Sequence, residues 1–95
     1  MVIQIVRLKS ALTEEELLKR AHERVPRFRA TSGLLQKYYA RLGAPGEMAG
    51  IYVWDSKESL QAFRETELAK SIPQAYETLE APNIEVLDVL FQLRD

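Results

Sequence analysis

Two titratable side chains stand where proton chemistry is conceivable. Asp88 is flanked by apolar residues in Glu85-Val86-Leu87-Asp88-Val89-Leu90. A carboxylate facing an apolar pocket has a raised pKa and can serve as acid or base. The plainer reading pairs Asp88 with Arg7, Lys37 or water. His22 is the only histidine. Its type suits a general base near neutrality. It lies between Ala21 and Glu23, beside an apolar stripe, and a bystander facing water is the plainer reading. One histidine without partners makes no zinc site, so no metal is expected.

Aromatic residues supply the other candidates. Trp54 is the only tryptophan and ends the run Ala49-Gly50-Ile51-Tyr52-Val53-Trp54. It can orient an aromatic ligand by stacking, or simply fill the core at a sheet end. The hydroxyls of Tyr38, Tyr39 and Tyr52 can bond a substrate oxygen or relay a proton. Tyr38 and Tyr39 are neighbours in an extended run, so they point to opposite faces and only one enters any given cavity. Packing with a satisfied hydroxyl is the alternative for each. Arg7 and Lys37 can hold an anionic substrate. There is no Ser-His-Asp order, Gly-rich phosphate loop or HExxH motif.

The elements that must position these residues follow from periodicity. Val2 to Leu8 reads as a first strand, apolar on both faces. Thr13 with Glu16 has capping-box spacing and opens a helix with buried stripe Leu17, Leu18, Ala21 and Val25. Pro26 ends or kinks that helix, although Phe28 still falls on the stripe. Leu34 to Arg41 is a second strand, the most polar and suited to an edge. Strict alternation puts Leu34, Gln36, Tyr38 and Ala40 on one face. Gly43 to Gly46 makes a hairpin loop. The third strand runs to Trp54, with Ala49, Ile51 and Val53 on one face and Met48, Tyr52 and Trp54 on the other. A helix capped at Asp55 or Ser56 follows, with Leu60 and Phe63 inward. Leu68, Ala69 and Ile72 fit a further short turn. Glu85 to Leu93 is the fourth strand.

The order β-α-β-β-α-β predicts a ferredoxin-like α+β fold. Its four-stranded antiparallel sheet has strand order 4-1-3-2, with both helices on one face. Ninety-five residues fit one domain, 1–95. Thirteen basic and fourteen acidic residues nearly cancel without a basic cluster, so no nucleic-acid partner is expected. There is no cysteine, hence no disulfide framework. No signal peptide is read, and no apolar run approaches the roughly 20 residues that cross a bilayer. A cytoplasmic protein without membrane contact is the expectation. Two short helices cover only one face of such a sheet, yet the other face also carries large apolar residues. A second copy packed sheet to sheet covers it, so a homodimer through the open sheet face is expected.

The chain resembles a known superfamily at specific residues. Gly33-Leu34-Leu35 enters strand two, and Gly50-Ile51-Tyr52-Val53-Trp54-Asp55-Ser56 precedes helix two. With Lys37-Tyr38-Tyr39, Glu67-Leu68-Ala69 and Ile72-Pro73, these runs are similar to the dimeric α+β barrel superfamily. Within it the chain looks most like the YdhR-like monooxygenases, neighbours of the antibiotic biosynthesis monooxygenases. The resemblance implies a cavity inside each subunit, between sheet and helices. It also implies cofactor-independent oxidation of a small aromatic or polyketide-like substrate by molecular oxygen. The haem-degrading branch uses an Asn, a Trp and a His at positions that fall near Ile5, at Phe63 and at Pro73. All three are replaced, so haem is not expected, and no cofactor is. The expected pocket lining is Trp54, Phe63, Tyr52, Tyr38 and Phe28, with His22 or Asp88 handling the proton. A ligand-binding or scaffold dimer of the same fold is the alternative, as is a lyase or isomerase of an enolisable small molecule.

Overall fold

A computed structural model describes residues 1–94. Strand β1 (Val2–Lys9) leads into helix α1 (Glu14–Arg29), then β2 (Leu34–Arg41), β3 (Glu47–Trp54) and α2 (Lys57–Arg64). Two one-turn helices, α3 (Glu67–Lys70) and α4 (Ile72–Ala75), precede β4 (Asn83–Asp88). The sheet is antiparallel with order β2-β3-β1-β4, the ferredoxin-like arrangement read from the sequence.

The core is one layer between this sheet and the helices. Val2, Val6, Leu8, Met48, Tyr52 and Trp54 form its floor, and Leu17, Ala21, Phe28, Leu60, Phe63 and Tyr76 come down onto it. All these strand residues share one face, because alternate side chains point the same way. The helices therefore lie on one side only. Across the sheet from them, Ile3 pairs with Val53 and Leu87, and Ile5 pairs with Ile51. The middle of this open face is apolar, and no helix of the described residues covers it.

Local sequence explains the ends of the elements. Thr13 accepts from the Glu16 N–H and caps α1; Ser56, not Asp55, does the same for α2 through the Ser59 N–H. Helix α1 does not stop at Pro26 but runs three residues further. The proline removes only the bond to the carbonyl of residue 22, and both His22 and Pro26 lie on the water side, where solvent can replace it. Burial of Phe28 in the next turn supports the extension. Strand β4 stops at Asp88 rather than Leu93. Its partner β1 runs out there: Val2 pairs with Asp88, and the Val89 N–H takes the last carbonyl, that of Met1. Leu90 and Phe91 beyond it are 92% and 81% exposed.

Gly33 makes the turn from α1 into β2 with a positive φ of 81°, and its carbonyl accepts the Asp55 N–H at 2.9 Å. A Cβ at this position would overlap the Ser59 side chain and come within 2.9 Å of Asp55 Oδ1. Gly33→Ala should therefore combine a left-handed backbone penalty with a clash, costing about 2 kcal/mol or more. For a chain of this length a thermal melt should show a fall in Tm of roughly 10 °C. An unchanged Tm would mean that the turn is not held as described.

Candidate functional site: a caged lysine under helix α1

The site is created by an irregularity in the edge strand. Leu34 pairs with Trp54, but the next pair is Gln36 with Val53, so Leu35 is an extra residue in β2. Such a bulge shifts every following side chain by one position relative to strict alternation. Leu34, Lys37, Tyr39 and Arg41 thus all face the helices, opposite Trp54, Tyr52, Gly50 and Met48. Tyr38 is turned to the open face against Ile51 and is 56% exposed. Of the two adjacent tyrosines, Tyr39 is the one that enters the interior.

Lys37 is the unusual member of this row. Its Nζ lies 3.5 Å from the ring centroid of Phe28 and 4.4 Å from those of Tyr39 and Tyr52. Gly50 makes room for it; a Cβ there would sit 3.4 Å from Lys37 Cε and 3.1 Å from Tyr52 Cε1. Among the described residues no carboxylate pairs with this amine. Burial, and then repulsion from the Arg24 guanidinium, push its pKa down to about 7. The quadrupoles of the three rings pull the other way by favouring the ammonium.

Arg24 supplies a second positive head. It sits on the buried face of α1, seven residues after Leu17, with its guanidinium 5.8 Å from the Phe28 ring and 5.7 Å from the Tyr76 ring. Bonds to the Leu68 carbonyl (2.8 Å) and Ser71 Oγ (3.3 Å) tie it to α3 and the residue after it. Its Nε is buried without a hydrogen-bond partner among the described residues, and so is the Tyr76 hydroxyl. Two buried donors left open are a costly feature unless water or a ligand supplies the acceptor. Burial pushes Tyr39 up to about 12 and raises Tyr52 and Tyr76 as well. All three phenols therefore stay protonated at neutral pH and are available to donate.

Behind this polar group stands a wall of packed rings. Tyr52 stacks on Trp54 at 6.1 Å, and Phe63 lies 5.1 Å from Trp54, 5.8 Å from Tyr52 and 5.9 Å from Phe28. The fully buried Trp54 donates its indole N–H to Gln4 Oε1 at 3.0 Å, which fixes the ring. Trp54, Phe63, Tyr52 and Phe28 are thus brought together, and they fill the space between them.

Open space lies beside them, on either side of Tyr39. A cleft of about 690 Å³ runs between the first half of α1 and the β2–β3 hairpin, bordered by Leu17, Leu18, Tyr39 and Met48. Glu14 and Arg41 meet across its lining in a two-bond ion pair. A second space of about 310 Å³ opens beside Val25, Phe28, Leu34, Lys37 and Tyr39. Leu18 is exposed and Val25 only half-buried, unlike the rest of the α1 stripe, because each borders a cleft instead of the core.

Neither expected proton-handling residue reaches this space. His22 is exposed on α1. Asp88 is exposed on β4, at the sheet edge opposite β2, and pairs with Lys57 at 3.5 Å. It cannot meet Lys37, and Arg7 is taken by Glu85 at 3.1 Å. Among the described residues no group of His, Cys, Asp or Glu is arranged to hold a metal, and no helix is long and apolar enough to cross a membrane.

No protein-family model matches the chain, and no curated protein matches it in sequence. Solved structures do match in shape. A protein of unknown function from Nitrosomonas europaea is 21% identical and superposes with a TM-score of 0.79, over 96% of this chain and 90% of that one. A variant of SnoaB, a cofactor-independent oxygenase from Streptomyces nogalater, is 13% identical with a TM-score of 0.79, over 99% and 97%. An antibiotic biosynthesis monooxygenase is 17% identical with a TM-score of 0.74, over 95% and 99%. The chain has the same α+β fold as these structures.

Proposed function

We propose that this chain is a cofactor-independent oxygenase of small phenolic or polyketide-like compounds. The observation that carries the reading is the amine of Lys37, poised near neutrality inside three aromatic rings. Phenols and enols lose a proton reluctantly in water. Lys37 takes that proton, and the resulting ammonium, with Arg24 behind it, holds the anion in a water-poor site. The anion is electron-rich enough to react with molecular oxygen itself. One oxygen atom forms a bond to a ring carbon that loses its hydrogen, and the other leaves as water. The four electrons come from the substrate, which ends as a quinone. Tyr39 and Tyr52, protonated at neutral pH, donate to the oxygen being reduced, and the ring wall of Trp54 and Phe63 fixes the plane of the substrate. Proton handling falls to Lys37 rather than to His22 or Asp88.

The working form in this proposal is a homodimer joined through the open sheet face, located in the cytoplasm. The test is oxygen uptake by the purified protein with a panel of polyhydroxylated aromatic compounds. Consumption of one oxygen molecule per quinone formed is expected for at least one of them. Phenols that raise Tm but draw no oxygen would make the protein a carrier and end the oxygenase reading.

A further inference from the structure

We propose that Lys37 is also a nucleophile toward carbonyl compounds, forming an imine with small aromatic aldehydes or ketones that enter the 310 Å³ space beside Phe28. The inference shares Lys37 with the oxygenase reading but does not need oxygen chemistry to be true.

Three features of the structure point to it. Among the described residues the amine meets no carboxylate and no hydrogen-bond acceptor to hold it as an ammonium, only ring faces. A second cation, Arg24, shares the Phe28 ring with it. A desolvated lysine beside another cation is the arrangement that releases the free amine needed for attack. Lys37 also lines an opening, with Val25, Phe28 and Leu34 as apolar neighbours for an aryl group and Arg29, Gln36 and Tyr39 as polar ones. Finally, the step needs an acid near the carbonyl oxygen. Tyr39 flanks both the amine and the opening and keeps its proton at neutral pH.

The step balances without a further reactant. The Nζ lone pair forms a bond to the carbonyl carbon while the C=O π electrons move to oxygen, which takes a proton from Tyr39. The nitrogen loses a proton that returns to the tyrosinate. The hydroxyl then takes a proton from Tyr39 and leaves as water as the nitrogen lone pair forms the C=N bond, which leaves the protonated imine on Lys37 beside a tyrosinate that water reprotonates. Water reverses the reaction, so the adduct is transient unless reduced.

The experiment is reductive trapping. The protein is incubated at pH 7 with benzaldehyde or 4-hydroxybenzaldehyde and cyanoborohydride, and lysine adducts are mapped by mass spectrometry of peptides. One adduct should form on Lys37, on the order of a hundredfold faster than on a free lysine derivative in the same solution. Lys37→Arg, which keeps the charge and most of the stem, should lose it. Labelling spread evenly over Lys9, Lys19, Lys37, Lys57 and Lys70, or absent from Lys37, would overturn the inference. Oxygen uptake is measured separately, so an adduct without turnover would support the imine and count against the oxygenase, and turnover without an adduct the reverse.

Discussion

Replacing Lys37 with methionine should lower kcat/KM for phenol oxidation at pH 7 by about 10²- to 10³-fold. The ceiling comes from the substrate. A phenol with a pKa near 10 is ionised to about one part in a thousand at pH 7, so a protein without the base still meets that fraction ready-made. The same arithmetic predicts how the variant recovers. The wild-type rate should rise as the pH passes through about 7, where the Lys37 amine becomes free. The variant should instead gain activity tenfold per pH unit until the substrate ionises unaided. Steady-state rates between pH 6 and 10 check both limbs. A variant as active as wild type at pH 7 would remove Lys37 from the chemistry.

The same substitution should make the fold more stable at neutral pH. In the unfolded chain a lysine keeps its proton up to about pH 10.4; in the folded chain Lys37 gives it up near 7. Between those values the unfolded state binds more protons, so stability rises with pH across that window and is lowest below it. A fall from about 10.4 to about 7 corresponds to a penalty of about 4 kcal/mol at pH 7. The tyrosines act in the opposite sense. Their folded pKa values are raised, Tyr39 to about 12, so their contribution is present below about pH 10 and fades as the pH climbs through that range. Denaturant melts of wild type should therefore rise from pH 7 toward 10 and then fall. Lys37→Met should start higher, lose the rise and keep the fall.

Much of this fold is legible in the residue pattern, and the exceptions have physical causes. The runs Val2–Lys9 and Glu47–Trp54 are apolar on both faces because they are the two central strands, covered by helices on one side and apolar on the other. Periodicity puts Tyr52 and Trp54 on one strand face and Phe28 and Phe63 on inward helix stripes, and the family resemblance groups them as one lining. The chemistry was harder to see because a single bulged residue, Leu35, exchanges the faces of Leu34 and everything after it. Nothing in the side-chain types of Leu34-Leu35-Gln36 announces a bulge, so alternation alone cannot decide how the row from Lys37 to Arg41 lines up with Leu34. Arg24 could have been found, since it recurs at helical spacing with Leu17, Ala21 and Phe28, and a charged residue on a buried stripe signals a built site. Tyr76 could not, because it follows a one-turn helix in a segment without periodicity. Asp88 looked interior only while β4 was taken to run on to Leu93; at the true end of the strand it is a surface partner of Lys57.

The second large effect concerns the face that the helices leave bare. Ile5 lies near its centre, paired with Ile51 on one side and Glu85 on the other, with Ile3 and Val53 in the next row and Tyr38 and the 43% exposed Leu87 at its flanks. A contiguous apolar patch in the middle of an uncovered sheet face marks a contact surface more often than a face left in water. A two-fold axis through it would set each isoleucine row against its own copy, so any substitution enters the interface twice. Ile5→Lys then brings two like charges into the middle of this layer, where the neighbouring Glu85 is already engaged by Arg7. Each buried unpaired charge costs about 3 kcal/mol or more, so the dissociation constant should rise at least about a thousandfold. Light scattering at micromolar concentration should report a dimer for wild type and a monomer for Ile5→Lys. Leu18→Lys, on the helix side, should leave the mass unchanged. A wild-type monomer under these conditions would mean that the isoleucine face stands in water, and the sheet-to-sheet dimer would have to be abandoned.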